Sequence, residues 1–165
     1  GCAQVNCLAG IKPADLSVGK ANETLITNLE YAGSILDRSN VKLVIESINT
    51  MDIPGFFLNT TNQAARILGE LNCDNVSLQH DLYHMQIMEG DIIRTMVDNL
   101  DAIGHIHTAG NPGRNNLDDD QELNYRGICR ALAAAGYEGH VGHEFRPTGD
   151  LIAALTQAYT QCLVN

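Results

Sequence analysis

The sequence predicts an α/β fold made of consecutive strand–helix units, and three observations support this prediction. Short apolar runs rich in β-branched residues recur along the chain, and stretches with helical periodicity separate them. The runs show little polar alternation, which is typical of parallel strands that helices cover on both faces. With 165 residues, of which 44% are hydrophobic, the chain can form one sizeable core. We therefore expect a single domain over residues 1–165.

The predicted elements follow one another in five strand–helix units. In the first helix, Leu25, Leu29 and Leu36 fall on one face. Gly136 is placed to end the fourth unit's helix, and Asp150 is placed to cap the last one. The strands are predicted at residues 3–10, 41–49, 75–83, 102–110 and 139–145.

Two architectures are compatible with five such units: an open doubly wound sheet and part of a (β/α)8 barrel. The doubly wound sheet is expected to carry a glycine-rich phosphate turn after its first strand, but "CLAGIKPADLSVGK" offers no GxGxxG motif. A barrel instead places polar functional groups at the carboxyl ends of several strands, which converge on one mouth. We therefore expect an incomplete (β/α)8 TIM-barrel type fold.

Polar side chains stand where the barrel requires them. Glu46, Asp81, His107 and Glu144 each fall at the end of a predicted strand, one strand–helix repeat apart. A single carboxylate at a strand end is more often a helix cap, but recurrence on consecutive strands favours a shared site. Three carboxylates and one imidazole suit a divalent ion such as Mg²⁺, Mn²⁺ or Co²⁺.

Charge and cysteine content narrow the possible partners and the compartment. The chain has 10 Lys and Arg against 20 Asp and Glu, a net charge of -10, which repels nucleic acids and anionic membranes. A small-molecule substrate is therefore expected.

The 5 cysteines are scattered and form no CxxC pair, and no signal peptide or apolar span is evident, so we expect a cytoplasmic protein.

Four stretches together resemble a known family. "VIESIN", "LQHDLYHMQIMEGD", "GHIHTAGNPGR" with "ELNY", and "GYEGHVGHEF" resemble the hydroxypyruvate isomerase family of the sugar isomerase/epimerase superfamily, whose members are xylose isomerase-like TIM barrels. The resemblance covers nearly the whole chain. It aligns the five units with strands four to eight of the family barrel, so that the N-terminal units are lacking.

The resemblance also implies residue roles. Glu46, Asp81, His107 and Glu144 match the family's metal ligands, and Glu46 with Glu144 match its paired proton-transfer residues. Substrate-binding positions are matched by His84 and Arg114. The implied reaction converts hydroxypyruvate to tartronate semialdehyde through an enediolate, with a divalent cation that stabilises its negative charge.

Alternatives remain open at this stage. A ketose 3-epimerase or a 2-oxo-tetronate isomerase would use the same metal and acid pair on a sugar or a related acid. A partial barrel that binds metal without catalysis is the alternative of another class, whereas a zinc phosphodiesterase is disfavoured by the net charge of -10. Five parallel strands leave two open edges, so we also expect a homo-oligomer or a longer protein.

Overall fold

Residues 1–164 are described by a computed structural model and form one parallel sheet of five strands, flanked by helices, in the order β1-β2-β3-β4-β5. The strands are β1 (Gln4–Cys7), β2 (Lys42–Glu46), β3 (Val76–Asp81), β4 (Ile103–Thr108) and β5 (Val141–His143). The helices are α1 (Val18–Asp37), α2 (Thr61–Glu70), α3 (Leu82–Met88), α4 (Ile92–Asp98), α5 (Tyr125–Ala134) and α6 (Leu151–Cys162). The arrangement is a half-barrel, as the sequence predicts.

Polar side chains cap the amino ends of most of the helices, and the predicted caps at Asp150 and Gly136 are confirmed. Ser17 accepts from the backbone N–H of Lys20 at the start of α1, and Asp150 accepts from that of Ala153 at the start of α6. Gly136 has a φ of 85° just after α5, the left-handed conformation that favours glycine at a helix end. The helices pack on the sheet through a core that includes Leu29, Leu43, Ile67, Leu78, Met96, Ile106 and Leu132.

An irregularity in β4 decides which of its side chains share a face. Leu78 pairs with Ile103, but the next residue Gln79 pairs with His105, so Gly104 is an extra residue in the ladder. A Cβ at Gly104 would lie 3.0 Å from the Cβ of Ser77. Glycine therefore permits the close approach of β4 to β3.

The two outer strands leave the sheet open within residues 1–164. In β1 all positions but the first are exposed, and Val5 keeps 39% of its surface. On α6, Ile152 and Tyr159 are 68% and 63% exposed. The open edges agree with an incomplete barrel, and self-association stays a prediction.

Two further features concern the cysteines and the helices of the described chain. Across residues 1–164, all 5 cysteines are free thiols. No helix in that range combines the length and the apolar character needed to cross a bilayer.

Candidate active site

Four ionisable side chains converge at the carboxyl ends of β2 to β5. Glu46 and Asp81 are the last residues of β2 and β3, His107 is the penultimate residue of β4, and Glu144 follows β5 directly. One nitrogen or oxygen atom from each lies within 4.8 Å of the others. Parallel strands present their carboxyl ends at one rim, which is why residues so distant in sequence meet.

The imidazole of His107 lies at the centre of this cluster. Its Nδ1 is 3.1 Å from Glu144 Oε2 and 4.0 Å from Glu46 Oε1. Glu46 is buried, whereas the side chain of Glu144 keeps 55% of its surface exposed. The cluster therefore has a buried floor and an open side through which a small molecule can enter.

Two carboxylate oxygens in the cluster lack hydrogen-bond partners within the described residues. Among residues 1–164, neither Glu46 Oε1 nor Asp81 Oδ2 has a hydrogen-bond partner, although both atoms are buried. A buried carboxylate oxygen without a hydrogen bond is costly, and a bound cation is a common means of compensating this cost. Oxygen-rich donors with one imidazole are the set that hard divalent ions accept. The residues present therefore fit a divalent metal.

The pKa values of the two buried carboxyl groups also favour a cation at this site. The pKa of Asp81 is raised to about 7, chiefly by burial and secondly by the nearby Glu46, while backbone N–H groups and Arg114 oppose the rise. Burial also raises the pKa of Glu46, while hydrogen bonds from Gln79 and Asn6 oppose the rise. A positive charge between the carboxylates would favour their ionised forms.

Asp81 serves a second purpose, because its other oxygen caps α3. Oδ1 accepts hydrogen bonds from the backbone N–H groups of Tyr83 at 2.8 Å and His84 at 3.2 Å. The cap and the cluster thus use different oxygens of one carboxylate. Asp81 can therefore cap α3 and bind a metal ion at the same time.

This division of the Asp81 oxygens predicts how stability depends on pH. Asp81→Asn keeps the capping oxygen but removes a charge whose folded-state pKa, about 7, exceeds the ordinary 3.8. Between these two pKa values, Asp81 of wild type is ionised in the unfolded state but protonated in the folded state. A rise in pH over this range therefore lowers the free energy of unfolding of wild type. The variant's advantage in free energy of unfolding should therefore grow from pH 5 to pH 7.5, by on the order of 1 kcal/mol or more.

Urea unfolding in EDTA measures this difference. The buried histidines are common to both proteins, so their titration cancels to first order. Asp98→Asn, at an exposed position of α4, is the matched control. Its difference from wild type in free energy of unfolding should not change with pH. A flat or falling difference for Asp81→Asn would show that Asp81 is ionised in the metal-free protein at low pH.

Two amide side chains that the sequence analysis missed hold the cluster in place. Asn6 Nδ2 donates to Glu46 Oε2 at 2.7 Å, and Gln79 Nε2 lies 3.2 Å from His107 Nδ1. Gln79 stands two residues before Asp81 and therefore faces the same side of β3. Period-two alternation counted back from each strand end is the signal that could have found Gln79.

The structure brings both predicted substrate-binding residues to the cluster. Arg114 Nη2 is 2.8 Å from Glu144 Oε2 and 3.6 Å from Asp81 Oδ2. His84 is buried, and its Nε2 is 3.8 Å from Asp81 Oδ2. Burial lowers the pKa of His84 to about 4, with a smaller effect from Arg114, so the ring is neutral at pH 7. The roles of the six residues remain predictions.

Three further histidines, one each on β3, β4 and β5, lie close to the cluster in sequence. His105 packs edge-on against His107 with ring centroids 4.9 Å apart, one step deeper in β4. His80 is buried on the opposite face of β3, and neither ring nitrogen has a partner within residues 1–164. His143 Nδ1 lies 2.7 Å from Thr108 Oγ1. None of these three offers a ligand atom to the cluster as described.

Comparison with known proteins identifies relatives over nearly the whole chain. Residues 1–161 match the family described as xylose isomerase-like TIM barrel. The chain is 40% identical over 147 residues to hydroxypyruvate isomerase of Escherichia coli (strain K12), which covers 89% of this chain and 57% of that protein. It is 36% identical over 155 residues to 2-oxo-tetronate isomerase of Cupriavidus necator, with coverages of 94% and 59%.

A solved structure supports the fold independently. The structure described as AP endonuclease, family 2, from Brucella melitensis superposes with a TM-score of 0.89 at 34% identity, and covers 93% of this chain and 59% of that chain. The chain therefore spans less than two thirds of the length of each of these relatives.

Proposed function

The chain belongs to the xylose isomerase-like TIM-barrel family, and from this premise we propose that it acts in the isomerisation of hydroxypyruvate to tartronate semialdehyde. The observation that carries the proposal is the convergence of Glu46, Asp81, His107 and Glu144, with the Arg114 guanidinium 2.8 Å from Glu144. The similarity to a hydroxypyruvate isomerase at 40% identity supports the choice of substrate.

The reaction moves a carbonyl group by one carbon. A base removes a proton from the hydroxymethyl carbon, an acid delivers a proton to the former carbonyl carbon, and the hydroxyl proton moves between the two oxygens. Glu46 and Glu144 are the proposed pair, with the substrate between them. Because the reaction is reversible, the carboxylate that is the base in one direction is the acid in the other.

The proposed cofactor is a divalent ion held by Glu46, Asp81, His107 and Glu144. When bound, such an ion acts as a Lewis acid that stabilises negative charge on the substrate oxygens. Asp81 has its second oxygen fixed by the α3 cap, so its free oxygen is held in place without a substrate. The identity of the ion, Mg²⁺, Mn²⁺ or Co²⁺, belongs to the proposal.

Arg114 is proposed to bind the substrate carboxylate. Its side chain is 22% exposed and lies over the Tyr83 ring, with the guanidinium carbon 5.5 Å from the ring centroid. Its Nη2 donates to Glu144 Oε2, whereas its Nε has no hydrogen-bond partner among residues 1–164, so the guanidinium keeps a donor for an anion. Arg can pair with a carboxylate through two parallel hydrogen bonds. The position fits the end of a keto acid that extends from the cluster.

Arg114→Ala is expected to raise the KM for hydroxypyruvate by about 10- to 150-fold, since hydrogen bonds between charged groups contribute about 1.5–3 kcal/mol. Steady-state kinetics measures the change. Arg94→Ala is the control, because Arg94 is exposed on α4 and pairs with Asp91 at 2.8 Å. An unchanged KM for Arg114→Ala contradicts the assignment.

A second candidate reaction is supported by the relative that is 36% identical and named 2-oxo-tetronate isomerase. The same pair of carboxylates would act on a longer hydroxy acid. Parallel assays of both acids in D₂O with Mn²⁺ separate the candidates, because the true substrate incorporates solvent deuterium at the carbon that receives the proton. Metal binding without exchange in either assay would favour a partial barrel that binds metal but does not catalyse.

A small acid is proposed as the partner in preference to nucleic acid. The Brucella melitensis structure is described as an endonuclease, but the net charge of -10 disfavours a phosphodiester backbone over most of this surface. We also retain cytoplasmic localisation and homo-oligomerisation as proposals.

A further inference from the structure

The loop after β2 folds around the side chain of Asn49, which is fully buried. Its Oδ1 accepts hydrogen bonds from the backbone N–H groups of Met51 at 3.1 Å and Asp52 at 2.7 Å. Its Nδ2 donates to Asp52 Oδ2 at 3.0 Å. Rotating the amide by half a turn would bring its NH₂ group against two N–H donors. The contacts therefore fix which end of the amide is nitrogen.

The nitrogen end of this amide faces His84. Asn49 Nδ2 lies 2.6 Å from His84 Nδ1, and the backbone N–H of Asn49 points at the same atom from 3.4 Å. Both groups are donors, so Nδ1 must be the acceptor. A neutral imidazole that accepts at Nδ1 carries its proton at Nε2.

The Nε2 atom of His84 is the one that faces the cluster, 3.8 Å from Asp81 Oδ2. A ring nitrogen that carries a proton has no free lone pair, so it cannot bind a cation and can only donate a hydrogen bond. We propose that Asn49 is a positioning residue, which holds His84 in the Nε2–H form so that His84 donates to a substrate oxygen and stays outside the set of metal ligands.

The same loop connects His84 to Arg114. Asp52 Oδ2, which accepts from Asn49, also accepts from the Tyr83 hydroxyl at 2.7 Å. The Tyr83 ring in turn lies under the Arg114 guanidinium. One hydrogen-bonded chain of Asn49, Asp52 and Tyr83 therefore orients both residues that contact the substrate in the proposed reaction.

The protonated nitrogen of His84 can be observed directly by long-range ¹H–¹⁵N NMR of the labelled protein. We expect the wild-type ring to show Nε2–H, with the signals assigned by their loss in His84→Gln. In Asn49→Asp, a carboxylate oxygen replaces the donor and should move the proton to Nδ1. Asn62→Asp, an exposed position of α2, introduces the same charge and should leave the ring unchanged.

The wild-type spectrum alone can overturn the proposal, even where a variant does not fold, because an Nδ1–H ring is incompatible with two donors at Nδ1. An unchanged ring in a folded Asn49→Asp protein overturns it equally. These readouts need neither metal nor substrate.

The role toward substrate rests on the proposed function and has its own readout. Asn49→Asp should lower kcat for hydroxypyruvate by about 10- to 100-fold, as is typical when a supporting residue is changed, with a smaller change in KM. A wild-type kcat in Asn49→Asp contradicts the positioning role. If wild type shows Nε2–H but no turnover of hydroxypyruvate, the proposed function fails while the assignment of the ring form stands.

Discussion

Replacing Glu144 or Glu46 by Gln is expected to lower the turnover of hydroxypyruvate by about 10²- to 10⁴-fold, the usual contribution of a general acid or base. Glutamine keeps the size of the side chain and one carbonyl oxygen, but it cannot accept or release the proton. Glu46 and Glu144 come from β2 and from the end of β5, and both approach His107 Nδ1. The loss should appear in kcat more than in KM.

Solvent exchange distinguishes the loss of proton transfer in these variants from the loss of bound metal. Deuterium incorporation is followed in D₂O at saturating Mn²⁺, and bound metal is measured on the same samples. Glu138→Gln provides the control, since Glu138 is exposed in the turn before β5. A Glu144→Gln or Glu46→Gln protein that retains metal and exchanges at the wild-type rate would rule out the proposed acid pair.

The second large effect is expected on metal affinity. Wild type should bind about one Mn²⁺, Co²⁺ or Mg²⁺ per chain, and Asp81→Asn should weaken this binding by at least about 10- to 100-fold, the range observed when even a supporting residue is lost. Asp81 Oδ2 is buried and has no hydrogen-bond partner among the described residues, although Arg114 Nη2 lies 3.6 Å away. Its replacement by an amide nitrogen turns an acceptor into a donor aimed at a cation.

Titration calorimetry with each ion measures the affinity, and elemental analysis after dialysis gives the stoichiometry. The same Asp81→Asn protein is expected to be more stable than wild type in EDTA at neutral pH, so poor folding cannot account for its weak binding. No bound metal in wild type under any of the three ions would remove the central element of the proposed function.

Much of the fold was predictable because strand ends carry two independent signals. A run of buried β-branched residues such as that before Glu46 indicates a strand, and an acidic residue at its end indicates a helix cap or a functional site. The repetition of this pattern at Asp81 and Glu144 indicated the candidate ligands from spacing, whereas the substrate-binding positions came only from the family resemblance.

The supporting contacts could not be predicted in this way. Asn49 and His84 are 35 residues apart and meet through loop conformation, which no periodicity describes. Arg114 reaches Glu144 from a backbone with a φ of 58°, a conformation that non-glycine residues rarely adopt. Such contacts depend on how two loops pack, and local sequence preference carries little information about that.

The extra residue in β4 limits how the length of this chain can vary. Side chains alternate along a strand, so a slip by one residue turns each of them to the other face. Ile103 and Ile106 both lie in the core although they are three positions apart, an odd spacing, because Gly104 is an extra residue between them. Losing Gly104 would force either Ile103 out of the core or His107 away from Asp81. Inserting or deleting a single residue within β4 would therefore separate the ligand candidates at the mouth of the site.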